Sequence, residues 1–153
     1  MDINVFIASS AELRSERMEI VDLILDLNDE IEGLGIKYKP ALWEYMDSSM
    51  RTGRKEDEYL EKLRQCEICL VLFWRTLGEY TKEELDVAVE QMMTGRLPKE
   101  VYVLYKIPDN GISEELKIFK KEFLTCYSNL QSYTFEDSMT LRNLTKDILT
   151  KDK

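Results

Sequence analysis

Residues 68–74 read Ile-Cys-Leu-Val-Leu-Phe-Trp, an apolar run without a polar break. A strand with one face in water alternates apolar and polar residues, whereas an unbroken run is typical of a strand covered on both faces. Shorter apolar runs lie in Ile3 to Ala8 and in Val101 to Tyr105. Because strands buried on both faces belong to parallel sheets flanked by helices, the runs predict an α/β protein.

Helical patterns separate these strands. One amphipathic face ends at Gly33 and Gly35, and its apolar residues recur every three or four positions: Ile20, Ile24, Leu27, Ile31 and Leu34. The remaining pattern predicts a weak strand around 36–43, helices over 55–65, 81–93 and 113–127, a short strand at 133–136 and a last helix from Ser138. Five strand–helix units predict a single domain over 1–153. We expect a flavodoxin-like three-layer sandwich, a five-stranded parallel sheet in the order 2-1-3-4-5 with helices on both faces.

This topology predicts where a ligand binds. In an open parallel sheet the binding crevice lies beyond the carboxyl ends of the strands, at the point where the strand order reverses. For the order 2-1-3-4-5 that point lies between the loops after the first and third strands. We therefore expect Ser9 and Ser10 to face the segment from Arg75 to Tyr80.

The chain contains no histidine, which excludes imidazole-based nucleophile systems, histidine proton shuttles and zinc sites that need histidine ligands. Its chemistry falls to carboxylates, Lys, Tyr, Cys or Ser. A net charge of −9 argues against nucleic acid or an anionic membrane as partner. Since the N-terminal residues lack a secretory signal and no stretch approaches the ~18 apolar residues of a membrane span, we expect a cytoplasmic protein.

Cysteine and glycine motifs carry little functional signal. The odd count of three cysteines favours reduced, buried thiols over a disulfide framework. Cys66-Glu-Ile-Cys69 has C-x-x-C spacing but enters a core strand, so we expect two core cysteines and not a redox or zinc motif. Gly33-Leu34-Gly35 ends a helix instead of opening one, which excludes a dinucleotide-binding glycine loop.

Two segments carry a family resemblance. The first is Val5-Phe-Ile-Ala-Ser-Ser10, followed by Glu12-Leu13 and Glu16-Arg17; the second runs from Trp74 to Ala88. Together they resemble the bacterial Toll/interleukin receptor (TIR) domains, especially those that cleave NAD⁺ in anti-phage defence. The resemblance covers nearly the whole chain. It implies an NAD⁺ glycohydrolase that uses NAD⁺ as substrate, holds no cofactor or metal, and is activated by self-assembly.

The resemblance also implies a catalytic glutamate at the start of the third helix. Glu84 matches it best, and Glu83 is the neighbouring alternative. A purely structural reading stays open, because Thr81 and Glu84 have the T-x-x-E spacing of a capping box. Nicotinamide leaves as a neutral ring without needing a proton, so one carboxylate that stabilises an oxocarbenium-like transition state suffices.

Further residues are candidates for binding the substrate, each beside a structural alternative. Ser9 and Ser10 are placed either to bind the dinucleotide or to cap a helix. Arg75 is placed to pair with the diphosphate or to remain an exposed loop cation. Trp43 is placed to stack on a base or nicotinamide, or to fill the core.

The resemblance implies that the loop 45–51, which contains Tyr45, Met46 and Met50, packs against a neighbouring protomer and gates the site; packing against its own domain is the alternative. A different class of function, a non-catalytic TIR assembly module, fits this loop equally well. The family also fuses TIR domains to cyclic-nucleotide sensors such as STING or SAVED. We therefore also expect that the chain is the effector part of a longer protein.

Overall fold

The computed structural model describes residues 1–42, 55–78, 80–127 and 130–151, with the side chains of 55–57 and 124 left aside. The five strands are β1 (Asp2–Ser9), β2 (Lys37–Ala41), β3 (Ile68–Phe73), β4 (Glu100–Lys106) and β5 (Gln131–Phe135). The α-helices are α1 (Arg14–Glu30), α2 (Lys55–Leu63), α3 (Thr81–Met93), α4 (Glu114–Cys126) and α5 (Ser138–Thr150). A 3₁₀ turn at Ala11–Leu13 leads into α1.

The strands form one sheet in the order β2-β1-β3-β4-β5, and every pairing is parallel. This confirms the predicted flavodoxin-like α/β fold and its strand order. Neighbouring strands in the chain that are not neighbours in the sheet are joined by crossovers, so β1 lies between β2 and β3. The strand order reverses at β1 and β3, as the sequence predicts.

Helices cover both faces of the sheet, which explains the unbroken apolar run of β3. All six residues of β3 are buried. Ile68, Leu70 and Leu72 pack in a core with residues of α1 and α5. The alternate residues, Cys69, Val71 and Phe73, pack in a second core with residues of α2, α3 and α4. A central strand in this position has no polar face, because neither side meets water.

Several predicted details need correction. Leu34 is 71% exposed, because α1 ends at Glu30 and Leu34 lies in the turn between the positive-φ residues Gly33 and Gly35. Cys66 and Cys69 are buried as expected, but Cys126 is exposed at the end of α4. Within the described ranges, no helix is long and apolar enough to cross a membrane.

Candidate functional site

Successive side chains of β1 point to opposite faces of the sheet, so Ser9, the last residue of β1, and Ser10, the next residue, lie on different faces. Residues Ile3, Val5 and Ile7 belong to the core under α1, whereas Phe6 and Ala8 belong to the core under α3. By the same period of two, Ser9 turns toward α1 and Ser10 toward α3. The contacts of the two serines follow this division, so the two predicted binding residues have different surroundings.

Ser9 contacts Arg17, a residue of α1 that is 0% exposed. The Arg17 guanidinium donates to the Ser9 hydroxyl and, at 2.9 Å, to the Ser10 carbonyl oxygen. The Ser9 hydroxyl in turn donates to the Ser10 carbonyl oxygen at 3.1 Å. The hydroxyl of buried Ser9 therefore both donates and accepts a hydrogen bond, and it links the loop after β1 to α1.

Ser10 precedes the 3₁₀ turn, but its side chain makes no capping hydrogen bond, so the capping alternative is wrong for this residue. Its hydroxyl donates instead to Glu12 Oε2 at 2.9 Å. The same oxygen accepts from the Thr76 N–H at 2.8 Å, the Thr76 hydroxyl at 2.6 Å and, at 3.3 Å, the Arg75 N–H. Glu12 thus joins the loop after β1 to the loop after β3.

These hydrogen bonds perturb the ionisation of Glu12. Partial burial opposes its charged form and is the largest single effect, but the bonds donated by Thr76, Ser10 and Arg75 together outweigh it. The pKa of the Glu12 carboxyl is lowered below its ordinary value as a result. The carboxylate therefore stays charged at neutral pH.

Gly78 brings the two loops into close contact. With φ at +82°, it adopts a conformation that favours glycine. A Cβ atom at this position would lie 2.5 Å from the Thr81 hydroxyl and 3.2 Å from the Ser10 Cβ. Ser10 and the first residue of α3 therefore face the same glycine. This confirms the prediction that the Ser9-Ser10 loop faces the segment from Arg75 to Tyr80.

Glu84 lies in the first turn of α3, which begins at Thr81 as predicted. The capping-box alternative is wrong, because Tyr80 is the N-cap and makes no side-chain cap, and the Glu84 N–H donates to the Tyr80 carbonyl oxygen at 2.9 Å. In a capping box the Thr81 hydroxyl would accept from that N–H. The Glu84 residue is only 8% exposed, whereas Glu83 is half-buried.

Glu84 has the β3 residue Cys69 among its neighbours. Its carboxylate lies close enough to buried Cys69 to raise the pKa of that thiol, although burial is the main cause of the rise. The positive end of the helix dipole favours a negative charge at this position. Glu84 is therefore a nearly buried carboxylate in the helix turn that follows the loop after β3.

Arg75 is exposed and leaves β3 directly. Its guanidinium carbon and the ammonium nitrogen of Lys106 each lie 4.0 Å from the centroid of the Trp74 ring. The Trp74 indole N–H donates to the Pro108 carbonyl oxygen at 2.8 Å, which fixes the ring between the ends of β3 and β4. The role of Arg75 as a diphosphate ligand stays a prediction.

Trp43 and the loop 45–51 lie outside the described residues. Arg17 and Glu12 were missed by sequence reasoning as parts of the site, although both belong to the segment that carries the resemblance. The signal was the position of Arg17 on the apolar side of α1, three residues before Ile20. No sequence spacing points to the contact of Glu12 with Thr76, because 64 positions separate them.

Comparison with known proteins adds nothing on function. No protein-family model matches the chain, and no curated protein matches it. The chain is similar to a de novo designed Rossmann 2x3 fold protein at 15% identity and a TM-score of 0.48, with 99% of this chain and 92% of that chain covered. It is also similar to homoserine dehydrogenase from S. aureus (13% identity, 88% of this chain, 32% of that chain, TM-score 0.46). A third similar structure is an FMN-dependent NADH-azoreductase from Bacillus anthracis (13% identity, 97% and 96%, TM-score 0.40).

Proposed function

We propose that the protein is a TIR-type NAD⁺ glycohydrolase with Glu84 as its catalytic residue, acting on the cytoplasmic NAD⁺ pool in anti-phage defence. The observation that supports this most is the position of Glu84: a nearly buried carboxylate in the first turn of α3, at the reversal of strand order. The N-cap of α3 is Tyr80, so Thr81 and Glu84 do not occupy the positions of a capping box.

The reaction needs only one carboxylate. The bond between ribose C1′ and the pyridinium nitrogen breaks, and its electron pair goes to that nitrogen, so nicotinamide departs neutral. The ribose is left with oxocarbenium character, which the negative charge of Glu84 stabilises. Water then attacks C1′ and loses a proton to give ADP-ribose, or an atom of the adenine attacks to give a cyclic isomer. The absence of histidine from the chain is compatible with this chemistry.

The loops around Glu84 supply the contacts for the rest of the dinucleotide. The Ser10 side chain lies on the α3 side, and the exposed guanidinium of Arg75 is suited to the diphosphate. Ser9, which is 9% exposed, supports this loop through its hydrogen bond with Arg17. Trp43 stacks on an aromatic ring of NAD⁺, and the loop 45–51 mediates the self-assembly that activates the enzyme.

The test is nicotinamide release from NAD⁺ by the whole chain, both free and displayed at high density on nickel-bearing vesicles through an added hexahistidine tag. We expect release by the displayed protein and its loss in Glu84→Gln. Glu83→Gln is the matched control, one residue away on the same turn, and retains activity. Loss in Glu83→Gln alone would move the catalytic role to Glu83.

The assembly module remains the competing function. Under that function the displayed protein associates but releases no nicotinamide above Glu84→Gln, and this result would overturn the enzymatic proposal. Light scattering of wild type and Glu84→Gln is the control: the substitution leaves association unchanged under both hypotheses, so only nicotinamide release distinguishes them.

A further inference from the structure

Glu12 accepts all its described hydrogen bonds on a single carboxylate oxygen, and the donors come from both sides of the crevice. Ser10 donates from the loop after β1, and Thr76 donates twice from the loop after β3. Hydrogen bonds to an ionised acceptor are stronger than those between neutral groups. The lowered pKa of Glu12 fits this account, since the bonds favour its charged form.

The loop after β3 is also held from its other side. The Ser113 N–H, at the start of α4, donates to the Arg75 carbonyl oxygen at 2.7 Å. Glu12 and Ser113 therefore hold the same peptide group from its two ends: Glu12 accepts from the Thr76 N–H, and Ser113 donates to the Arg75 carbonyl oxygen. Five residues after Thr76 the chain enters α3 at Thr81, and Gly78 packs so closely against Thr81 and Ser10 that it has no room for a Cβ atom. A shift of this loop consequently shifts the first turn of α3.

We propose that Glu12 is a positioning residue: its carboxylate holds the loop after β3, and with it the first turn of α3, in register with Ser10. Glu12 itself touches no substrate. The consequence for catalysis rests on the proposed function, because it acts through Glu84. Misplacement of a catalytic group by about 1 Å costs on the order of a hundredfold in rate. A purely structural surface bond would have no such effect.

The first measurement does not depend on activity. Hydrogen exchange followed by mass spectrometry compares the peptide over 74–78 with the peptide over 68–73 in β3. In Glu12→Ala we expect exchange of the loop peptide to accelerate at least about tenfold, the factor expected for losing a charge-assisted hydrogen bond. The β3 peptide and the matched control Glu90→Ala, an exposed glutamate of α3, remain at wild-type rates.

The second measurement is steady-state NAD⁺ cleavage by the vesicle-displayed chain. We expect Glu12→Ala to lower kcat at least tenfold, because the first turn of α3 is no longer held, while KM rises less, because Ser10 lies outside the loop that Glu12 holds and still binds the substrate. Thr76→Ser keeps both donors to Glu12 and retains wild-type kcat, whereas Thr76→Val loses the hydroxyl donor and falls between. In a chain that already carries Glu12→Ala, adding Thr76→Val lowers kcat no further.

Unchanged exchange over 74–78 in Glu12→Ala would overturn the proposal, and so would faster exchange with unchanged kcat. If Glu12→Ala does not fold, the pair Thr76→Ser and Thr76→Val decides, and equal kcat in that pair contradicts the role. Wild-type protein that releases no nicotinamide overturns the glycohydrolase proposal instead; the exchange result alone then supports or overturns the holding of the loop by Glu12.

Discussion

Arg17 donates a hydrogen bond to the carbonyl oxygen of Ser10 at 2.9 Å, from a guanidinium that solvent does not reach. A buried arginine is stable only where its N–H groups find acceptors. Here the acceptors belong to the end of β1, so α1 and the loop after β1 are fixed to each other. The loop after β1 is therefore held by α1 on the side away from the crevice.

Replacing Arg17 tests this support. Arg17→Ala deprives the Ser9 hydroxyl and the Ser10 carbonyl of a charged donor and leaves a cavity, so we expect a loss of about 3 kcal/mol or more in the free energy of unfolding. Urea denaturation measures it. Arg14→Ala, an exposed arginine of the same helix, changes stability by less than about 0.5 kcal/mol. Equal losses in the two variants would show that the Arg17 contacts are unimportant.

Comparing alanine variants of two glycines with similar φ angles distinguishes the cost of a steric clash of the new Cβ from the cost of the left-handed backbone conformation. Gly78 has φ +82° and Gly95 has φ +77°, but an added Cβ meets Thr81 and Ser10 at Gly78 and nothing within 4 Å at Gly95. Both alanine variants carry the cost of the left-handed conformation, on the order of 1 kcal/mol. We expect Gly78→Ala to cost about 1–3 kcal/mol more, since buried Thr81 cannot move aside. Thermal unfolding of both variants checks this, and similar Tm values would argue against close packing at Gly78.

Two buried tyrosines are expected to respond to the same substitution with opposite signs. Within the described part of the chain, the Tyr105 hydroxyl has no hydrogen-bond partner, and burial raises its pKa. The Tyr38 hydroxyl donates to the Leu149 carbonyl oxygen at 2.7 Å. Removing an unpaired buried hydroxyl relieves a desolvation cost, so Tyr105→Phe stabilises the protein by about 1 kcal/mol, whereas Tyr38→Phe destabilises it by about 1 kcal/mol. Differential scanning calorimetry gives both signs, and a destabilised Tyr105→Phe would indicate that the hydroxyl is bonded.

The contribution of Glu12 to stability depends on pH in a defined direction. Its pKa is lower in the folded protein than in the unfolded chain, so its stabilising effect is complete above the unfolded value of about 4.3 and disappears as the pH falls through the folded value. We expect wild type to exceed Glu12→Gln in stability at pH 7 and the difference to shrink toward pH 3. Urea titrations at several pH values test this. A difference that does not change with pH would contradict the lowered pKa.

Much of the fold was predictable because the signals are local. The apolar run of β3 indicated a two-sided parallel sheet, and the polar residues before apolar periodicity marked the starts of α3 at Thr81 and α5 at Ser138. The prediction that Leu34 belongs to the apolar face of the helix was wrong, because its spacing continues that face beyond Glu30, the last residue of α1. Cys126 misled because a residue type that is usually buried lies at an exposed helix end.

The candidate site was predictable only to the level of topology. Strand order places the loops after β1 and β3 side by side, so the nearness of Ser10 to Gly78 follows from it. Which hydrogen bonds join them does not follow, because the contact of Glu12 with Thr76 depends on the exact register of two loops far apart in the chain. The burial of Arg17 also ran against the usual exposure of charged residues.

The indole of Trp74 gives the protein a built-in optical reporter. The chain has two tryptophans, so Trp43→Phe leaves Trp74 as the single indole fluorophore. Its ring has the Arg75 and Lys106 cations 4.0 Å from its centroid. An anion that draws the Arg75 guanidinium away changes the electric field across the indole and shifts its emission. Occupancy of this edge of the sheet can therefore be followed by fluorescence without an added dye.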